Sequence, residues 1–64
     1  MLSKKYIIKD LITNKYLTLV SRNLLPIYKS IISSKVYDTL ESAEADVALI
    51  IHENKFLTIE TVYR

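Results

Sequence analysis

The chain has no cysteine, no glycine and no tryptophan, and Pro26 is its only proline. Without cysteine, no disulfide can brace the fold, and thiol usage says nothing about compartment. With His52 as the single histidine, a structural zinc site lacks its ligands. Without glycine there is no P-loop and no dinucleotide fingerprint, since both need glycine where the backbone meets phosphate. Turns must instead use residues such as Asn14, Asn23 and Asn54 at the awkward backbone positions. Long apolar runs are also missing. None approaches the roughly 18–20 residues of a membrane span, so no membrane partner is expected. The N-terminal MLSKKYIIKD lacks the apolar core of a signal peptide, and the expected location is the cytoplasm.

What is present is a heavy apolar load on a short chain. Of 64 residues, 50% are hydrophobic, with isoleucine and leucine dominant. One domain over residues 1–64 is the most this length supports. A chain of this size buries only about 60% of the surface its unfolded form exposes. Partner burial is then the remaining way to raise a marginal stability.

Residues 38–54, DTLESAEADVALIIHEN, have a helical period. Leu40, Ala43, Val47, Ile50 and Ile51 fall on one face, and Glu41, Glu44 and Asp46 lie largely off it. Asp38 or Thr39 can cap the first turn, and Asp38-x-x-Glu41 has capping-box spacing. Asn54 suits the left-handed turn that ends a helix. Residues 5–9 and 15–20 read as a β-hairpin turning around Thr13-Asn14-Lys15, or turning more tightly if Leu11 and Ile12 extend the first strand. Residues 21–26 break the pattern, because Pro26 is unsuited to a central strand. Residues 27–32 are a candidate third strand with 35–37 as a short continuation, and residues 56–63 alternate as a last strand. The expected class is α+β: a three- to four-stranded, mostly antiparallel sheet with one helix packed on one face, in the order β-β-(β)-α-β.

One helix covers one face of a sheet, yet both faces of these strands carry large apolar groups. Tyr6 and Ile8 oppose Ile7; Tyr16, Thr18 and Val20 oppose Leu17 and Leu19; Leu57 and Ile59 oppose Phe56 and Val62. An antiparallel sheet with one wet face should be apolar on one side only. The expectation is a homo-oligomer, a dimer first, with Leu17, Leu19, Leu24, Leu25, Phe56 and Val62 as candidate interface. The alternative is that loop 21–35 wraps the second face.

Charge is divided along the chain. Residues 38–53 carry five acids and no lysine or arginine, while the rest holds nine bases against Asp10 and Glu60, for a net charge of +2. A solvated helix and edge-strand lysines account for this; so does a surface that steers a partner. Glu41, Glu44 and Asp46, with Tyr6 and Tyr16 as aromatic anchors, are the candidate partner-binding residues. Lys5, Lys9 and Lys15 with the hairpin tyrosines are the candidate nucleic-acid-binding set, weakened by the low net charge and the acidic helix. His52 beside Glu53 lacks a nucleophile or motif around it, so it reads as a helix-end histidine. No catalytic, metal or cofactor residues are assigned, and the chain reads as no enzyme.

The run YIIKDLITNKYLTLV, then KVYDTLESAEADVALI, then FLTIETVY resembles a pattern of small bacteriophage and mobile-element accessory proteins. That pattern has a YVIK-x-TGKYL hairpin, a segment ending in K-x-F/Y, a T-x-E-E-A helix start and a last strand. This chain has Asn14 where the pattern has glycine, and lacks its tryptophan. The resemblance covers most of the chain and carries over no site residue. It implies a small factor that binds and inhibits a bacterial host protein or defence complex, of the anti-CRISPR or other anti-defence kind. A nucleic-acid-binding or regulatory protein using the basic hairpin is the alternative, and an oligomer sequestering a small ligand between subunits is a further one.

Overall fold

The computed structural model describes residues 2–21, 25–50 and 56–64. Strands β1 (Lys4–Asp10), β2 (Lys15–Val20) and β3 (Pro26–Lys29) precede a 3-10 turn at Ile31–Ser33, the helix α1 (Leu40–Ile50) and strand β4 (Leu57–Tyr63). The strands form one four-stranded sheet, ordered β3-β2-β1-β4. Every pairing is antiparallel. This is the α+β architecture expected, with the last strand beside the first. Pro26 fits because β3 is an edge strand, where a missing N–H costs no ladder bond.

The hairpin is closed by its own side chains. Asp10 is buried, and its carboxylate accepts the Ile12 N–H at 3.1 Å and the Thr13 hydroxyl at 2.8 Å. Its carbonyl accepts the Asn14 N–H at 2.9 Å. Asn14 has φ 59°, the left-handed conformation that asparagine tolerates better than most residues other than glycine. Leu11 and Ile12 therefore belong to the turn and stand exposed at its tip; they do not extend β1.

The sheet opens beyond this turn. β1 and β2 pair only at Lys9–Tyr16 and Asp10–Lys15. Further along, Lys35 donates its N–H to the Leu17 carbonyl at 2.8 Å. Tyr37 and Tyr6 exchange both backbone hydrogen bonds, at 2.8 and 2.9 Å. Segment 35–37 thus bonds to both strands where they separate. It bridges to β1 and is not the continuation of β3 that composition suggests.

On β2, Leu17 pairs with Tyr28 and Leu19 with Ile27, which leaves Thr18 as an extra, bulged residue. The bulge reverses the alternation expected for this strand. Leu17 is fully buried and Val20 packs against the core, while Leu19 is 43% exposed. Leu17 is therefore removed from the candidate oligomer interface.

α1 lies on one face. Ile8, Leu17, Tyr37, Ala43 and Ile50 form the core, with Tyr6, Val20, Tyr28, Val47, Leu57 and Ile59 packed against them. Ala43, Val47 and Ile50 are the inward helix positions, but Leu40 is exposed. The cap is Thr39, whose hydroxyl accepts the Ser42 N–H at 3.2 Å and donates to the Ser42 hydroxyl at 2.9 Å. Asp38 turns away to Lys5, so the Asp38–Glu41 capping box does not form. Ile51, Asn54 and the helix end predicted there lie outside the described residues, as do Leu24, His52 and Glu53.

Candidate interaction surface

The uncovered sheet face follows from alternation. Tyr6 and Ile8 point into the helix-side core, so Lys5, Ile7 and Lys9 point the other way. Register adds Val62 opposite Lys5, Glu60 opposite Ile7 and Thr58 opposite Lys9 on β4, and Tyr16 opposite Lys9 on β2. The bulge then brings Leu19 to this face, opposite Ile27 on β3.

This face is not uniformly open. Ile7 has no exposed surface although α1 lies on the opposite face. Interaction with the Glu60 carboxylate, together with burial, raises the pKa of the Tyr16 phenol. Tyr16 lies on β2 and Glu60 on β4, so this interaction crosses β1 beside Ile7. The Lys9 ammonium stands 5.8 Å from the Tyr16 ring centroid, within cation–π range. Lys5 pairs with Asp38. Among the described residues, the apolar groups left open on this face include the cross-strand pair Leu19 and Ile27, 43% and 38% exposed.

The basic hairpin set is divided by the register. Lys5 and Lys9 share the helix-free face, but Lys15 pairs with Asp10, one position on, and points to the opposite side. Lys5 is occupied by Asp38. Tyr6 is half-buried against the core, so it offers no free aromatic anchor.

The acidic helix set is divided as well. Asp46 accepts the Lys35 ammonium at 3.0 Å and the Tyr37 hydroxyl. Glu41 and Glu44 remain exposed and make no ion pair among the described residues. The candidate partner-binding acids are reduced to two outward carboxylates, Glu41 and Glu44. Of the remaining interface candidates, Leu25 and Phe56 are 51% and 55% exposed, and Val62 is half-buried.

The Asp46 cluster holds segment 35–37 against α1. Burial pushes the Asp46 carboxyl up, but the Tyr37 hydroxyl and the Lys35 ammonium outweigh it and hold the carboxyl below its usual range. Burial, then the bond to Asp46, drive the Tyr37 phenol well above its ordinary value. A lowered carboxyl contributes stability that is complete above its unfolded pKa and is lost as pH falls through the folded value. The unfolded value is about 3.9. Stability should therefore decline with acid below about pH 4, and Asp46→Asn should show a shallower decline there. Urea midpoints measured from pH 6 downward check this; parallel curves for the two proteins would refute it.

The described residues line grooves on the surface. One, of about 370 Å³, runs between α1 and β4 and is lined by Glu44, Val47, Ala48, Leu57, Thr58 and Ile59. Another, about 460 Å³, borders the Asp46 cluster and includes Lys35, Tyr37 and Asp46. Among the described residues no group of three or more His, Cys, Asp or Glu side chains could hold a metal ion. Nor is any described helix long and apolar enough to cross a membrane.

Ile27 is the surface residue that the sequence reading did not assign. Its pairing with Leu19 depends on the Thr18 bulge, which no glycine or proline marks. Comparison with protein-family models, with curated proteins and with solved structures returned no match.

Proposed function

We propose that the protein is a non-enzymatic interaction protein that docks on a partner protein through the helix-free face of its sheet and inhibits that partner by covering its working surface. The observation that supports this reading is the Leu19–Ile27 pair, held exposed across β2 and β3 with Lys9, Lys29 and the Tyr16 ring on the same face. Covering the open parts of two such side chains recovers on the order of 1–2 kcal/mol. Tyrosine and lysine around them supply the polar rim of a binding patch. The likeness to bacteriophage accessory proteins directs the search to bacterial host proteins, including defence complexes, in the cytoplasm.

The test is capture from a bacterial lysate by three immobilised proteins: the wild type, Leu19→Glu/Ile27→Glu, and Glu41→Lys/Glu44→Lys. Circular dichroism verifies that each is folded. The expected result is a partner protein retained by the wild type and the helix variant and lost from the sheet variant. Equal recovery by all three would remove the sheet face from the argument. Loss from the helix variant alone would move the docking site to Glu41 and Glu44. Recovery of nucleic acid, released steeply by salt, would favour the basic-hairpin reading instead.

A further inference from the structure

The two edges of the sheet are built in opposite ways. β3 is four residues long, opens on Pro26 and ends on Lys29. Short length, proline and lysine are the ordinary means of stopping a strand edge from recruiting another strand. β4 has none of them. It is seven residues, LTIETVY, rich in β-branched and aromatic side chains, with Glu60 as its single charge.

Alternation shows which backbone groups β4 leaves open. Ser3 and Arg64 exchange both backbone hydrogen bonds, and Leu11 donates to the Phe56 carbonyl. In an antiparallel pair, bonded and non-bonded positions alternate. Thr58, Glu60 and Val62 therefore bond to β1, and the N–H and C=O of Leu57, Ile59, Thr61 and Tyr63 point to the free edge.

We propose that β4 is the seam of a homodimer, in which it pairs antiparallel with β4 of a second copy about a two-fold axis at Thr61. In this register the outward groups of Thr61 bond to those of the partner's Thr61, and Ile59 bonds to the partner's Tyr63. Tyr63 is 63% exposed. Its ring comes to the mouth of the partner's α1–β4 groove, whose walls are Val47, Ala48, Leu57 and Ile59. On the other face Glu60 lies opposite the partner's Val62 and diagonal to the partner's Arg64, within reach of a long side chain. A register centred on Glu60 would set two carboxylates directly opposite each other, which is unfavourable. The seam also aligns the two helix-free faces on one side, doubling that surface. The proposal does not depend on what that surface binds.

Solution mass by light scattering over a range of concentrations tests it. The wild type is expected at twice the 7.4 kDa chain mass. Thr61→Pro deletes an N–H that points away from β1, so the fold is retained while the seam is blocked. It should weaken association more than tenfold; should it fail to fold, Thr61→Lys serves the same purpose. Because the chain has no native cysteine, register can be read by cross-linking. Thr61→Cys meets its own copy on the axis and should be joined by a short bis-thiol cross-linker, since directly paired Cβ atoms lie about 5 Å apart. Leu19→Cys should not. A wild type that stays monomeric at every concentration would overturn the proposal. So would a dimer that cross-links through Leu19→Cys and is indifferent to both Thr61 substitutions, since that is sheet-on-sheet packing.

Discussion

Replacing Ile7 with alanine is expected to destabilise the protein by about 2–5 kcal/mol, as much as replacing Ile8. The two residues point to opposite faces, and only Ile8 has the helix above it. Both nevertheless have no exposed surface. Ile8 sits in the core with Leu17, Ala43 and Ile50. Ile7 lies opposite Glu60 on β4 and diagonal to Tyr16 on β2. A core of this size supplies about 3–5 kcal/mol in total. Either substitution therefore removes a large share of the stability. Urea titrations followed by circular dichroism measure this. An Ile7→Ala midpoint close to that of the wild type would show that the helix-free face contributes no second apolar layer. Tyr16→Ala should reproduce part of the Ile7 effect, because it removes the ring diagonal to Ile7 on that face.

Tyr37→Ala should cost about 3–5 kcal/mol, the range for truncating a buried aromatic. Its ring belongs to the core, its backbone bridges to Tyr6, and its hydroxyl binds Asp46. Tyr37→Phe keeps the first two and loses the third. A hydrogen bond to a charged group contributes about 1.5–3 kcal/mol, which bounds that loss. The two variants separate the packing of segment 35–37 from its polar anchor. Amide exchange at Tyr6 and Tyr37 should quicken strongly in Tyr37→Ala and modestly in Tyr37→Phe. Equal exchange in both would place the anchoring in the hydroxyl alone.

Local signals predicted the regular elements well. Alternation in 5–9 and 56–63, the polar turn around Asn14, and the period of Ala43, Val47 and Ile50 are each decided by near neighbours. The correct faces of β1 and β4 follow from the same alternation. Features that depend on distant partners were not legible. The Thr18 bulge arises where β2 parts from β1 to admit segment 35–37, and no glycine announces it. That one residue moves Leu19 away from Leu17 and into apposition with Ile27. Asp46 reads from sequence as an outward acid, yet Lys35 and Tyr37, from a segment that sequence assigns to the third strand, take it up. Lys15 reads as one of a basic trio, but the register with Asp10 sends it to the other side. The candidate surface was therefore visible in its residue types and wrong in its groupings, because grouping is a property of register.

The most direct measurement is the methyl spectrum of leucine- and isoleucine-labelled protein, recorded with and without the partner recovered from lysate. Docking through the helix-free face requires the Leu19 and Ile27 methyl signals to shift or broaden on binding, while Leu40 and Leu49, exposed on α1, stay in place. Unchanged Leu19 and Ile27 signals with perturbed Leu40 and Leu49 would contradict the account and assign binding to the helix.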